Sequence, residues 1–177
     1  MRNHRHLLRG MAAGIAGGFV ASWVMNEFLG GPGKKLQQAL NSEKGRPGES
    51  DESQGQDQDR DATMKAADLI VSTATGGQHL SLEQQKKAAP VVHYGFGALM
   101  GGLYGALAEF WPGASAGFGT TFGSALFGGA DLIAVPVLRL GPSAEEQGAA
   151  AQATPLAAHI VYGATTELVR RAVRAVL

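Results

Sequence analysis

Six ionisable side chains lie within or at the ends of apolar, glycine-rich stretches of this chain: Glu27, His93, Glu109, Asp131, His159 and Glu167. Two of those stretches each carry a histidine and a glutamate. One runs from Val92-His93-Tyr94-Gly95 to Tyr104-Gly105-Ala106-Leu107-Ala108-Glu109, the other from His159 through Tyr162-Gly163 to Glu167, and Tyr-Gly-x-x-x-Glu occurs in both. Histidine beside carboxylate is the chemistry of proton exchange, ion pairing or metal and haem ligation. An ionisable group in hydrocarbon is costly and is kept there when it faces inward, is paired or is used.

Helix geometry limits what these residues can do together. His93 and Glu109 are sixteen residues apart, ~24 Å along a helix axis. His159 and Glu167 are eight apart, ~12 Å along the axis and ~80° around it. No His–Glu pair within one helix has the i, i+3 or i, i+4 spacing of helical metal sites, so any site is assembled between helices. There is no nucleophile motif, phosphate loop or metal signature, so the expectation is a protein that is not an enzyme, with no cofactor and no metal.

The elements that carry these residues read as membrane helices. A span needs ~20 mainly apolar residues, and four candidates meet or approach this: about 8–29, 90–111, 113–140 and 155–177, the last turning polar after Glu167 and expected to emerge near Arg170. The mean hydropathy is near zero only because residues 41–63, which contain no large apolar side chain, offset the rest. Such a segment cannot bury enough surface to offset its ordering entropy and reads as disordered. It lies in an extramembrane insert, 31–89. Within that insert Met64, Ala67, Val71 and Ala74 recur at helical spacing, and Ser81-Leu82-Glu83-Gln84 fits a capping box opening a second short helix. Pro90 then marks a kink or break before the second span.

Glycine, at 26 residues, is in excess and sits inside the apolar stretches. Gly10, Gly14 and Gly18 repeat every four residues, as do Gly97, Gly101 and Gly105; Gly113/Gly117, Gly119/Gly123 and Ser124/Gly128 continue the spacing. Small residues one turn apart form grooves where helix backbones meet in lipid. The same faces could join copies of the chain into a homo-oligomer or dock it on a larger membrane complex. The net charge of zero and the lack of a basic stripe exclude a nucleic-acid partner, and the absence of cysteine excludes disulfides and thiolate sites. The N-terminal run continues past twenty residues without a small-x-small cleavage site, favouring a retained span over a secretory signal. Arg2, Arg5 and Arg9 before the first span, with Arg170, Arg171 and Arg174 ending the fourth, place both termini in the cytoplasm.

Four antiparallel spans convert position to depth. Glu27, His93, Asp131 and His159 fall in an outer layer, one from each span; Glu109 and Glu167 fall in an inner layer near Arg170 and Arg171. Each has a plainer alternative. The histidines can be interhelical hydrogen-bonding glue, and the glutamates and Glu27 can sit at the interface, Glu109 and Glu167 paired with Arg170, Arg171 or Arg9. Asp131 is the sharpest case, because Leu132-Ile133-Ala134-Val135 follow it and Pro136 frees a carbonyl beside it.

The His-x-x-x-Gly-x-x-x-Gly-x-x-Tyr-Gly-x-x-x-Glu-x-x-Pro pattern from His93 to Pro112 resembles the YagU-type inner-membrane family. The segment from His159 to Glu167-Leu168-Val169-Arg170-Arg171 and the glycine run at 10–23 are similar to it as well. The acidic 41–63 insert departs from that pattern. The resemblance implies a small multi-pass protein of the bacterial inner membrane associated with acid tolerance, and supplies no catalytic residues. A histidine titrates near pH 6.5, so acidification would charge His93 and His159 beside Glu27 and Asp131. The expectation is therefore an all-α, four-helix transmembrane bundle in the lipid bilayer, supporting acid or envelope-stress tolerance. The alternatives are a small proton or cation transporter or channel, and an accessory subunit, haem-binding in one version, of a larger membrane complex.

Overall fold

The computed structural model describes residues 2–43 and 60–177. Every regular element among them is helical. The chain runs α1 (Arg2–Gly30), α2 (Pro32–Glu43), α3 (Ala62–Thr75) and α4 (Leu82–Phe110). A 3₁₀ segment (Pro112–Gly119) leads into α5 (Thr120–Phe127), a π-helical segment (Gly128–Ala134) and α6 (Val135–Val137); α7 (Ala144–Gln147) and α8 (Ala149–Val176) close the chain. Three stretches, His6–Gly30, Leu82–Phe110 and Pro112–Val137, are long and apolar enough to cross a membrane. Their outward faces carry Phe19, Trp23, Phe96, Leu99, Leu103 and Ile133 exposed, as lipid-facing surfaces do. α8 is as long, at 28 residues, but more polar.

Glycine seams hold these helices together. α1 lies antiparallel to α4, with Gly10, Gly14 and Gly18 against Gly105, Gly101 and Gly97. A Cβ on Gly14 would strike the Gly101 carbonyl, and one on Gly101 the Gly14 carbonyl. α5 lies antiparallel to α8 through Gly119 and Gly123 against Gly163 and the His159 carbonyl, and α1 meets α8 where Gly17 faces the Thr166 carbonyl. Ala21, Met25, Ala158 and Tyr162 form the buried centre, with Phe28, Leu29, Phe122 and Leu126 packed on it. Not every glycine of the sequence pattern is used this way: a Cβ on Gly128 would meet nothing within 4 Å.

Several expectations need correction. Pro90 does not break the chain: α4 is continuous from Leu82, and the expected second short helix is its first turns, opened by the Ser81–Gln84 capping box. Proline removes one N–H from the helix ladder, and the remaining bonds carry the helix through. The third stretch is not one straight helix. It begins with Gly117, Phe118 and Gly119 in the left-handed region (φ 61°, 56° and 82°) and contains the π segment. Pro136 has no N–H to return to Leu132 in an α-turn or to Asp131 in a π-turn, so the ladder is loosened there. The disordered reading of 41–63 falls mostly on 44–59, outside the described residues; Asn41–Glu43 end α2 and Ala62 and Thr63 begin α3.

α3 is capped by Asp61, which accepts from the Met64 N–H, and by Gly76 (φ 71°). It buries Met64 and Ala67, and Asp68 clasps the turn leading into α4. Asp68 accepts from the Leu80 N–H (2.6 Å) and meets His79 Nδ1 (2.9 Å), with Arg60 at 3.6 Å. Arg60 in turn donates to Gln85 Oε1 (2.7 Å).

Two outcomes follow from this packing. Gly101→Val should destabilise the protein by about 1–3 kcal/mol, the range for overpacking, read as a lowered unfolding midpoint in detergent, whereas Gly128→Ala should not. The clasp should be acid-resistant. Partial burial of Asp68 pushes its pKa up, but the His79 and Leu80 hydrogen bonds and nearby positive charge outweigh that and hold it below 3.8. A depressed carboxylate stabilises above its unfolded pKa, and that contribution is lost as pH falls through the lower folded value. Hydrogen exchange at the Leu80 amide, corrected for intrinsic rate, should stay slow until below pH 3.8. Asp68→Asn should speed it at neutral pH.

Candidate functional site

The bundle holds two polar clusters at different depths. The inner one forms where the end of α4, the start of α1 and the last turns of α8 meet. The Glu167 side chain is fully buried, and its two oxygens accept four hydrogen bonds. Oε2 takes the Tyr104 hydroxyl (2.8 Å) and Arg170 Nε (2.7 Å); Oε1 takes Arg170 Nη2 (3.0 Å) and Arg171 Nε (2.6 Å). An ionised carboxylate offers about four lone-pair sites, so this one is saturated. Beside it, Glu109 accepts from Arg174 Nε (2.7 Å) and Nη2 (3.2 Å), and the same Nη2 lies 3.0 Å from His6 Nδ1. The Arg171 guanidinium covers the Phe118 ring at 4.9 Å, which uses the left-handed turn to face it.

This arrangement joins helices and leaves nothing on Glu167 for a substrate. Of the alternatives open for the glutamates, pairing with arginine is the one the geometry contains, with Arg170 and Arg171 on Glu167. Glu109 pairs with Arg174 instead, a residue outside the predicted set. Tyr104, whose hydroxyl donates to Glu167, is likewise outside that set. A signal for Arg174 was present: Arg170 and Arg174 are one turn apart and extend one face of α8.

The outer set does not form one cluster. Asp131 and His159 come together, with His159 Nδ1 3.7 Å from Asp131 Oδ2. His93 sits instead in the α1–α4 seam, its Nε2 3.4 Å from the Ser22 carbonyl and its ring edge-on to Tyr94. Glu27 is exposed and makes no side-chain hydrogen bond or ion pair to another described residue. Equal depth did not mean equal direction around the helices. Among the described residues no three His, Cys, Asp or Glu side chains converge as a metal site requires.

Asp131 is placed by the π segment, in which one extra residue per turn re-aims a side chain; such insertions recur at functional sites. Its side chain is one-third exposed, whereas that of His159 is 9 % exposed. His159 Nδ1 lies 3.0 Å from the Pro155 carbonyl, which assigns the proton on that nitrogen to the carbonyl bond. Asp131 lines a cavity of about 400 Å³ bounded by Arg60, Asp61 and Lys65 before and in α3, and by Gln147, Gln152 and Pro155 near the start of α8. The Gln152 side-chain nitrogen is buried without a partner, as is the Thr154 hydroxyl. Toward the inner cluster, Phe122 stacks on Tyr104 (4.4 Å between centroids) and packs near Tyr162 (6.2 Å), filling the space between the two layers.

Residues 68–168 match the model of a family described as "Protein of unknown function (DUF1440)". The match takes in His93, Glu109, Asp131, His159 and Glu167 and stops before Arg170. No curated protein and no solved structure matches the chain.

The inner cluster should behave as a structural lock. Breaking a buried pair typically costs ~3–5 kcal/mol, so Glu167→Ala should sharply reduce the folded yield and the unfolding midpoint. Tyr104→Phe removes one hydrogen bond to a charged group and should cost about 1.5–3 kcal/mol. Glu109→Gln, in the more exposed pair, should cost less than about 1 kcal/mol. Detergent unfolding curves of the three variants check the ranking.

Proposed function

The chain belongs to the DUF1440 family, and on that premise we propose that it is a non-enzymatic, four-span protein of the bacterial inner membrane, of the YagU type, that supports acid or envelope-stress tolerance through the Asp131–His159 pair. The observation that carries this reading is the pair itself. A carboxylate on a π turn faces a nearly buried imidazole at 3.7 Å and is open on its other side to a cavity of about 400 Å³.

In this reading α8 is the fourth span. Arg9, Arg170, Arg171 and Arg174 gather at one end of the bundle, and this arginine cluster supports a cytoplasmic location for that end and both termini. The cavity over Asp131 then faces the outside, the compartment that acidifies first. Adding a proton to the pair changes its net charge inside a low-dielectric bundle, where a charge change has a large energetic effect. Because Asp131 and His159 come from two different segments, that change biases how the π segment sits against α8. His93 and Glu27 take no part, since neither approaches the pair.

A second reading is a proton or cation transporter, favoured by the same cavity. The packed Phe122–Tyr104 stack lies between Asp131 and the inner cluster and would have to move for anything to pass.

Acid survival of cells that depend on this protein tests the proposal. Asp131→Asn and His159→Gln should each lower survival at acid pH tenfold or more at unchanged membrane expression, while His93→Gln and Glu27→Gln should leave it intact. Full survival of the Asp131→Asn/His159→Gln double variant would overturn the reading. Proton flux in proteoliposomes that vanishes with Asp131→Asn would favour transport.

A further inference from the structure

The inner cluster carries more positive charge than its carboxylates answer. Glu167 faces both Arg170 and Arg171, so that trio keeps one positive charge, whereas Glu109 and Arg174 balance each other. No Asp or Glu occurs in 1–26, 110–130 or 168–177 to offset it. The surplus sits on Arg171. Arg170 commits Nε and Nη2 to Glu167, and its side chain is 11 % exposed. Arg171 donates only through Nε; its two terminal nitrogens meet no acceptor among the described residues, and its side chain is 53 % exposed.

That guanidinium is held in place by a strained residue. Phe118 lies between Gly117 and Gly119, yet it has itself a left-handed φ of 56°, which is unusual for a bulky side chain. Such residues persist where their surroundings hold them, and they cluster at ligand-binding sites. Here the ring lies under Arg171, 4.9 Å from its Cζ. Stacking fixes the plane of the guanidinium, so its two terminal nitrogens are pre-organised as a fork. Phosphate and phosphodiester oxygens match that fork.

The surroundings choose between a soluble and a lipid anion. Phe118 and Leu168, the latter one turn before Arg171 on α8, are exposed apolar side chains. A free phosphate would cover the arginine alone; a phospholipid puts its headgroup on the fork and its acyl chains on the apolar groups. This end also lies at a bilayer surface in the membrane reading. Phe110 ends and Pro112 begins two stretches long enough to cross a membrane, and Glu109, beside that junction, holds the last turns of α8 through Arg174.

We propose that Arg171, braced by Phe118 and flanked by Leu168, binds the phosphodiester of one anionic phospholipid. The inference rests on the reading of the chain as a membrane protein and is independent of the Asp131–His159 pair. Glu167 stays the structural centre, and the lipid takes only the part of Arg171 that Glu167 leaves open. Arg9, exposed and without a partner among the described residues, is a cation without the aromatic brace and serves as the comparison.

The test is native mass spectrometry of the full chain in neutral detergent, with phosphatidylglycerol and phosphatidylcholine of identical acyl chains at equal concentration. The natural chain should retain one phosphatidylglycerol with a preference of about tenfold or more, the scale of hydrogen bonds to a charged group. Arg171→Gln should remove the preference, and Phe118→Leu, apolar but without a π face, should lower it about threefold or more. Arg9→Gln should leave most of it. Equal retention of the two lipids by the natural chain, or an unchanged preference in Arg171→Gln, overturns the proposal. An equal loss in Arg9→Gln also overturns it, by showing a diffuse basic surface instead of a site. Should Arg171→Gln fail to fold, an unchanged preference in Phe118→Leu overturns it instead. Complete displacement of the lipid by equimolar inorganic phosphate or by a glutamate-rich peptide overturns the lipid assignment. No step of this assay involves Asp131 or His159, so its failure and that of the stress-tolerance reading are separately visible.

Discussion

Contact between helix backbones is the constraint on which everything else in this protein depends. In lipid there is little hydrophobic gain from bringing two apolar helices together, so association relies on dispersion and on polar bonds across the interface. The facing glycines of α1 and α4, and of α5 and α8, let backbones approach until a single Cβ would collide with a carbonyl. That closeness lets side chains reach backbone on a neighbouring helix. The Tyr162 hydroxyl donates to the Gly97 carbonyl at 2.6 Å, an acceptor that a larger residue at that position would screen. Ser22, also in the seam, returns its hydroxyl to Gly18 at 2.9 Å and so satisfies itself. The seams fix the spacing, and the polar groups then select the register.

Against that frame of tight seams, the two polar clusters have opposite character. Glu167 has every acceptor site filled and its charge answered by two arginines, so it is inert and rigid. Asp131 has a histidine within Coulombic reach, no side-chain hydrogen bond to another described residue and a cavity in front of it. Saturation marks structure, and incompleteness marks a group able to accept something. The distinction is one of coordination, because both carboxylates lie in the bundle.

How much of this was legible in the sequence depended on how local each feature is. The Ser81–Gln84 box and the α3 helix were readable because four to fourteen neighbouring residues decide them. The glycine spacing identified the faces that meet, since close approach has few other solutions. α2 was missed although Pro32 stands at its first position, a favoured place for proline; its sparse apolar residues gave little periodicity. The π segment was invisible because it comes from packing and from the loosened ladder at Pro136, with no pattern of its own. Depth grouped Asp131 with His159, which do approach each other, but also with His93 and Glu27, which do not join them. It said nothing of rotation about the helix axis, and rotation is what sends His93 to the Ser22 carbonyl instead.

The spacing of Glu167, Arg170 and Arg171 also has a consequence for biogenesis. These residues are three and four apart on one helix, so the carboxylate can meet both guanidinium groups before α8 touches any other helix. A lone glutamate would resist leaving water during insertion. As the proposed fourth span, α8 would bring this one in with its own counter-ions, the ends of the long arginine side chains remaining among the headgroups while the pair forms. Only the Tyr104 hydroxyl has to be found on arrival. In the proposed four-span arrangement α8 thus carries its own passport into the bilayer, and the bundle closes when a single phenol meets it.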